Sequence, residues 1–196
     1  MKEHQNLFRD LQEDFRKMKK NLLVAQSGGP TAAINATLAG VIKQAIKEEQ
    51  IDQVYGACYG IQGVLEQKFV NLTEKVDTEE KLEKLKRTPA AALGSCRFKL
   101  NDIKEDDSQY QEIVDILHKM NIGYFVYIGG NDSMDTVAKL SAYCKEKGVE
   151  DIKVIGGPKT IDNDLWGTDM TFGFQSAVDI AVSYTHLRAH ETAANL

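Results

Sequence analysis

At 196 residues, with 42% hydrophobic and 27% charged side chains, the chain is long enough for one packed domain and at most two. A formal net charge of -5 without a basic run argues against nucleic acid as the main partner, but leaves room for a small anionic ligand held by backbone amides and a few cations. Cys58, Cys96 and Cys144 form neither a CxxC pair nor a disulfide framework. With no secretory h-region and no 18-residue apolar run, the expectation is a cytoplasmic protein that does not cross a membrane.

In chain order, Leu7, Phe8, Leu11, Phe15 and Met18 predict an amphipathic helix over residues 5 to 19, suited to packing or oligomer contact. Glu3, Asp10, Glu13 and Asp14 dilute its basic charge and argue against a membrane-surface helix. A pattern then recurs: a short apolar run, a turn rich in glycine, a helix. Leu22 to Ala25 leads into Gln26-Ser27-Gly28-Gly29-Pro30 and a helix to about Glu49. Val54 to Tyr59 leads into Gly60-Ile61-Gln62-Gly63. Tyr124 to Ile128 leads into Gly129-Gly130-Asn131-Asp132-Ser133 and a helix to about Lys147. Ile152 to Ile155 leads into Gly156-Gly157-Pro158-Lys159-Thr160. Residues 73 to 87 and 102 to 120 read as helices of mixed charge. Buried strands alternating with helices predict an α/β fold, with a mostly parallel sheet and flanking helices. Ligands bind at the carboxyl ends of such strands, where the glycine-rich turns fall.

Four segments could carry chemistry. Ser27-Gly28-Gly29-Pro30-Thr31 is either an ordinary tight turn or a backbone cradle for phosphate at a helix start. In Gly129-Gly130-Asn131-Asp132-Ser133, Asp132 and Ser133 are either helix caps or, with Asn131, face a metal or phosphate. Pro158-Lys159-Thr160-Ile161-Asp162-Asn163-Asp164 gathers a cation, a hydroxyl and two carboxylates. Lysine can serve phosphate as a point charge, and a carboxylate can take a proton from an attacking hydroxyl. In Leu93-Gly94-Ser95-Cys96-Arg97-Phe98, Arg97 is either a phosphate clamp or a surface ion-pair partner. There is no GxxxxGK[ST], no GxGxxG after a strand, and no protein-kinase HRD or DFG.

Together, SGGP…N, LGSxRF, GGNDS and PKTIDND resemble the phosphofructokinase family, over roughly residues 21 to 181. The resemblance implies a Rossmann-like fold of two domains and phosphorylation of the 1-hydroxyl of fructose 6-phosphate. It implies Asp162 as the base that accepts the hydroxyl proton. Thr160, Asp162 and Asp164 would bind the sugar phosphate. Gly28, Gly29, Arg97, Asn131, Asp132, Ser133 and Lys159 would bind the phosphoryl donor, carried with Mg2+. Asn131 stands where ATP-dependent members carry a magnesium-binding Asp, so it is the implied metal ligand, a neutral one. ATP-dependent members read GGDGS and PGTIDND. Asp132 and Lys159 replace two of those glycines, which is the pattern of pyrophosphate-dependent members. A carboxylate at 132 fills the room an α-phosphate needs and repels it. At about 4 Å and an effective dielectric near 20, that costs roughly 4 kcal/mol. The expected reaction is therefore reversible transfer from pyrophosphate. An ATP-dependent enzyme or an inactive phosphate-binding fragment are the alternatives, and the full-length protein is expected to be a homo-oligomer.

The expected division is a helical extension over 1–20, a donor domain over 21–181 and a non-native tail over 182–196. The tail string VSYTHLRAHET is similar to the conceptual translation of a transposase adapter used in sequencing libraries. If so, much of the fructose 6-phosphate site, including a Met-Gly-Arg segment, is missing.

Overall fold

The structure, a computed structural model, describes residues 19–31 and 33–194, with side chains up to residue 186. The helix expected over 5 to 19 lies outside the described residues, apart from Lys19. The chain divides after Pro158 into two units.

The first unit is a five-stranded sheet. Its strands are β1 (Lys20–Gln26), β2 (Ile51–Ala57), β3 (Phe69–Asn71), β4 (Ile122–Gly129) and β5 (Lys153–Pro158), in the order β3-β2-β1-β4-β5. All pairings are parallel except β2 with β3. The central strands are apolar on both faces because helices cover both. On one face, Leu23, Ala25, Phe125 and Tyr127 pack with α2 (Gly60–Leu65), α5 (Ser108–Lys119) and α6 (Asn131–Glu146). On the other, Leu22, Val24, Val54 and Ile128 pack with α1 (Ile34–Ala45), α3 (Leu72–Lys75) and α4 (Glu79–Arg87). Each fully buried Leu, Ile or Phe contributes roughly 1.5–3 kcal/mol by leaving water, and this two-sided burial is what dictates the Leu-Leu-Val-Ala type of run.

The expected α/β fold with a mostly parallel sheet is present, with five local differences. Gly60-Ile61-Gln62-Gly63, read as a turn, is the first part of helix α2, entered through Tyr59 at a left-handed φ of 65. Residues 73 to 87 form two helices, not one, because each end is separately capped. The Asn71 side chain accepts from the Glu74 amide at 3.3 Å, and the Thr78 hydroxyl from the Lys81 amide at 3.3 Å. The helix expected from residue 102 starts at Ser108. Asp102 and Asp106 take the amides of Lys104 and Ser108 into local turns first (2.9 and 3.0 Å). β3 was not expected at all. Finally, Gly156 and Gly157 lie inside β5 and not in a turn. A Cβ on Gly156 would meet Met134 Sδ of α6 at 2.6 Å, so the glycine is where helix and strand approach closely.

The second unit holds an irregular segment, residues 159–173, and helix α7 (Phe174–Ala194). The helix runs through the segment read as a tail. Of its described side chains only Phe174 is part-buried; the rest, through His186, are exposed.

Candidate functional site

The strand order places a topological switch between β1 and β4: the chain leaves β1 toward β2 on one side and β4 toward β5 on the other. In open sheets of this kind the carboxyl-end loops diverge at such a point and leave room for a ligand. Gln26 of β1 pairs with Ile128 of β4, and the Ser27 amide donates to the Ile128 carbonyl at 2.9 Å. The turn at Gly28-Gly29 and the turn at Gly129-Gly130 therefore lie side by side.

Each turn ends in a helix N-terminus of useful length, α1 with 12 residues and α6 with 16. Gly28 has φ +77, a left-handed value that favours glycine. A Cβ on Gly29 would have nothing within 4 Å, so this stretch of backbone borders open space. The Thr31 hydroxyl is buried and has no hydrogen-bond partner among the described residues. At the second turn the helix cap is Gly130, so Asp132 and Ser133 are not caps but stand in the first turn of α6. Asn131 and Asp132 are exposed there. Ser133 is buried, and a Cβ on Gly129 would collide with its Oγ at 2.1 Å, so glycine at 129 lets the strand end meet the helix.

The third segment is stitched to these two. The Ser95 hydroxyl donates to the Gly28 carbonyl, and the Ser27 hydroxyl donates to the Cys96 carbonyl at 3.3 Å. Arg97 is exposed and makes no ion pair among the described residues, which excludes its surface salt-bridge reading within them. Lys99, two residues on in an extended stretch, reaches the Asp132 carboxylate at 2.9 Å. Its role was invisible in the sequence, where it is one lysine among many; the spacing of two from Arg97, which sets side chains on one side of an extended chain, was the only signal. Gln26 and Asn35, both buried, were also missed as parts of the site.

In the second unit Lys159 is buried to 8% exposure and has no partner among the described residues. Burial holds its ammonium pKa below the ordinary lysine range. The Asp162 amide donates to the Thr160 hydroxyl at 3.0 Å, and the Thr171 amide to Asn163 Oδ1 at 2.9 Å. Asp162 and Asp164 are exposed. Their side chains have no partner among the described residues, so both stay available as acceptors.

Among the described residues no three His, Cys, Asp or Glu side chains gather to hold a metal. At the α6 N-terminus the oxygen donors are one amide carbonyl, Asn131, and one carboxylate, Asp132, already paired with Lys99. That set suits magnesium that arrives on phosphate oxygens and keeps its waters, not a resident all-protein site.

Comparison with known proteins identifies the family. The phosphofructokinase family profile ("PFK: Phosphofructokinase") matches residues 21–195. A Rhodospirillum rubrum protein named pyrophosphate--fructose 6-phosphate 1-phosphotransferase is 44% identical over 159 residues, 81% of this chain and 37% of that protein. A Bacteroides thetaiotaomicron protein named ATP-dependent 6-phosphofructokinase 3 is 35% identical over 175 residues, 88% of this chain and 48% of its own length. The crystal structure of a pyrophosphate-dependent phosphofructokinase from Nitrosospira multiformis superposes with a TM-score of 0.71 at 39% identity, over 79% of this chain and 37% of that one. The chain thus spans 37% to 48% of the length of these relatives, and it belongs to the phosphofructokinase family.

Proposed function

We propose that the protein to which this chain belongs transfers a phosphoryl group from pyrophosphate to the 1-hydroxyl of fructose 6-phosphate, reversibly, in the cytoplasm. The observation that carries this reading is the juxtaposition of the β1 and β4 turns, each opening a helix, with Arg97 in no ion pair among the described residues and Asp132 in the first turn of α6. Names of relatives at about 40% identity support the donor.

In this reading the amides of Gly28, Gly29, Asn131 and Asp132 and the Arg97 guanidinium hold the donor's phosphates, with Ser133 supporting the turn from behind. Magnesium, when bound, would screen the phosphate charge, with Asn131 its protein contact. Lys159 supplies a further cation. Thr160 and Asp164 bind the sugar phosphate. Asp162 accepts the proton as the 1-hydroxyl oxygen bonds to phosphorus, the bridging P–O bond breaks and phosphate leaves. No helix among the described residues is long and apolar enough to cross a membrane. The test is an assay of the full-length protein with fructose 6-phosphate and either pyrophosphate or ATP. Turnover with pyrophosphate at least about a hundredfold more efficient in kcat/KM is expected; equal or better turnover with ATP contradicts the reading.

A further inference from the structure

We propose that Gln26 and Asn35 are a positioning pair for donor-phosphate binding, a role that rests on the pyrophosphate reading above. Both side chains are fully buried (0% exposed). Gln26 Nε2 donates to the Ile34 carbonyl at 3.2 Å and to Asn35 Oδ1 at 3.0 Å, and Gln26 Oε1 accepts from the Leu93 amide at 2.9 Å. Asn35 Nδ2 donates to the Thr88 and Ala90 carbonyls at 2.8 and 2.6 Å, and Asn35 Oδ1 also accepts from the Ala92 amide at 2.9 Å. All four N–H donors and both carbonyl oxygens are engaged, so neither amide can flip without stranding buried polar groups.

The pair ties the end of β1 and the first turn of α1 to residues 88–93. That segment has no ladder or helix of its own; it carries a left-handed residue at Ala90 (φ +65) and is followed by another at Gly94 (φ +73). Beyond it the Tyr59 amide donates to the Leu93 carbonyl at 2.7 Å and Ser95 bonds to Gly28. Arg97 therefore leaves a backbone fixed against the Gly28-Gly29 turn. A guanidinium on a slack loop has to be ordered at each binding event, and that ordering subtracts from affinity. Leucine or methionine would fill the same volume, but would not specify one course for the loop.

The test combines calorimetric titration of the full chain with pyrophosphate and amide hydrogen exchange. Gln26→Met keeps volume and removes three bonds. Asn35→Asp keeps the acceptor for Ala92 and Gln26 and loses the donors to Thr88 and Ala90. Each is expected to speed exchange at Ala92 and Leu93, leave β1 and β4 protected, and weaken pyrophosphate binding roughly ten-fold. If only one variant folds, it carries the test. Faster exchange with unchanged affinity overturns the proposal, since a merely structural pair would give that result. Arg97→Met separates this inference from the reading beneath it. Unchanged binding by Arg97→Met, or none by the unaltered chain, removes the donor reading and the pair's role with it. Weak binding by Arg97→Met beside normal binding by both amide variants removes the pair's role alone.

Discussion

In the proposed reading donor choice turns on Asp132, whose surroundings weaken the part played by its charge. Its side chain is 74% exposed and the Lys99 ammonium lies 2.9 Å away. An exposed, paired carboxylate acts through a dielectric near that of water, so its repulsion of a phosphate at about 4 Å falls toward roughly 1 kcal/mol. Occupied volume then matters more than charge. Asp132→Asn, which keeps the shape, is expected to leave the pyrophosphate preference of the full-length enzyme within about three-fold, whereas Asp132→Gly opens room for an α-phosphate. Parallel kcat/KM measurements with both donors decide it; a collapse of preference in Asp132→Asn would restore charge as the cause. Lys159 gives a pH prediction. Burial lowers its pKa, so its charge is lost at a lower pH than for an ordinary lysine. A bound anion favours the charged form, so by linkage pyrophosphate affinity declines as pH rises through that lowered pKa. Lys159→Arg, charged throughout, should flatten this limb of the affinity profile, and an unchanged slope would exclude Lys159 from donor binding.

At the scale of elements, two glycines in neighbouring turns are predicted to behave oppositely. Gly29→Ala meets open space and should change stability by no more than about 0.5 kcal/mol while weakening pyrophosphate binding. Gly129→Ala drives a Cβ into Ser133 Oγ and should cost about 1–3 kcal/mol in urea denaturation. Equal effects in the two variants would show that the turns are not divided into an open and a packed one. What the sequence made legible follows the same division. β1 and β4 announced themselves because both faces are buried, giving continuous apolar runs, and β2 and β5, less buried, by a short apolar stretch running into glycines. β3 did not, being three part-buried residues at an antiparallel edge. The break between α3 and α4 was written in Asn71 and Thr78, but a charged stretch read as one solvated face conceals its caps. Gln26 and Asn35 were illegible as site residues because their loop partners lie 53 to 67 positions away. Such pairing exists only after the sheet has formed.

At the scale of the whole molecule, the motif residues of the first unit come together because the strand order brings β1 and β4 side by side, an order no local pattern states. Tyr127 lies beneath them, 1% exposed, its hydroxyl accepting from the Ile61 amide at 3.2 Å. Burial pushes its pKa up from the ordinary 10.0 to about 12. A raised folded pKa means that the stability is fully present below pH 10 and is lost as pH rises toward 12, roughly 3 kcal/mol in all. Tyr127→Phe should remove much of that alkaline loss in pH-dependent urea melts, and an unchanged profile would assign it to other tyrosines. In the second unit Trp166 is 98% exposed and Ile180 71% exposed. A helix such as α7, with almost no buried side chain among those described, has little tertiary support. Its amides are expected to exchange far faster than those of α1 or α6.

Donor choice is decided by Asp132→Gly combined with Lys159→Gly in the full-length protein, with kcat/KM measured for pyrophosphate and for ATP. Pyrophosphate turnover is expected to fall and ATP turnover to rise by roughly ten-fold or more. An unchanged ratio between the two donors would contradict the proposed basis of donor choice.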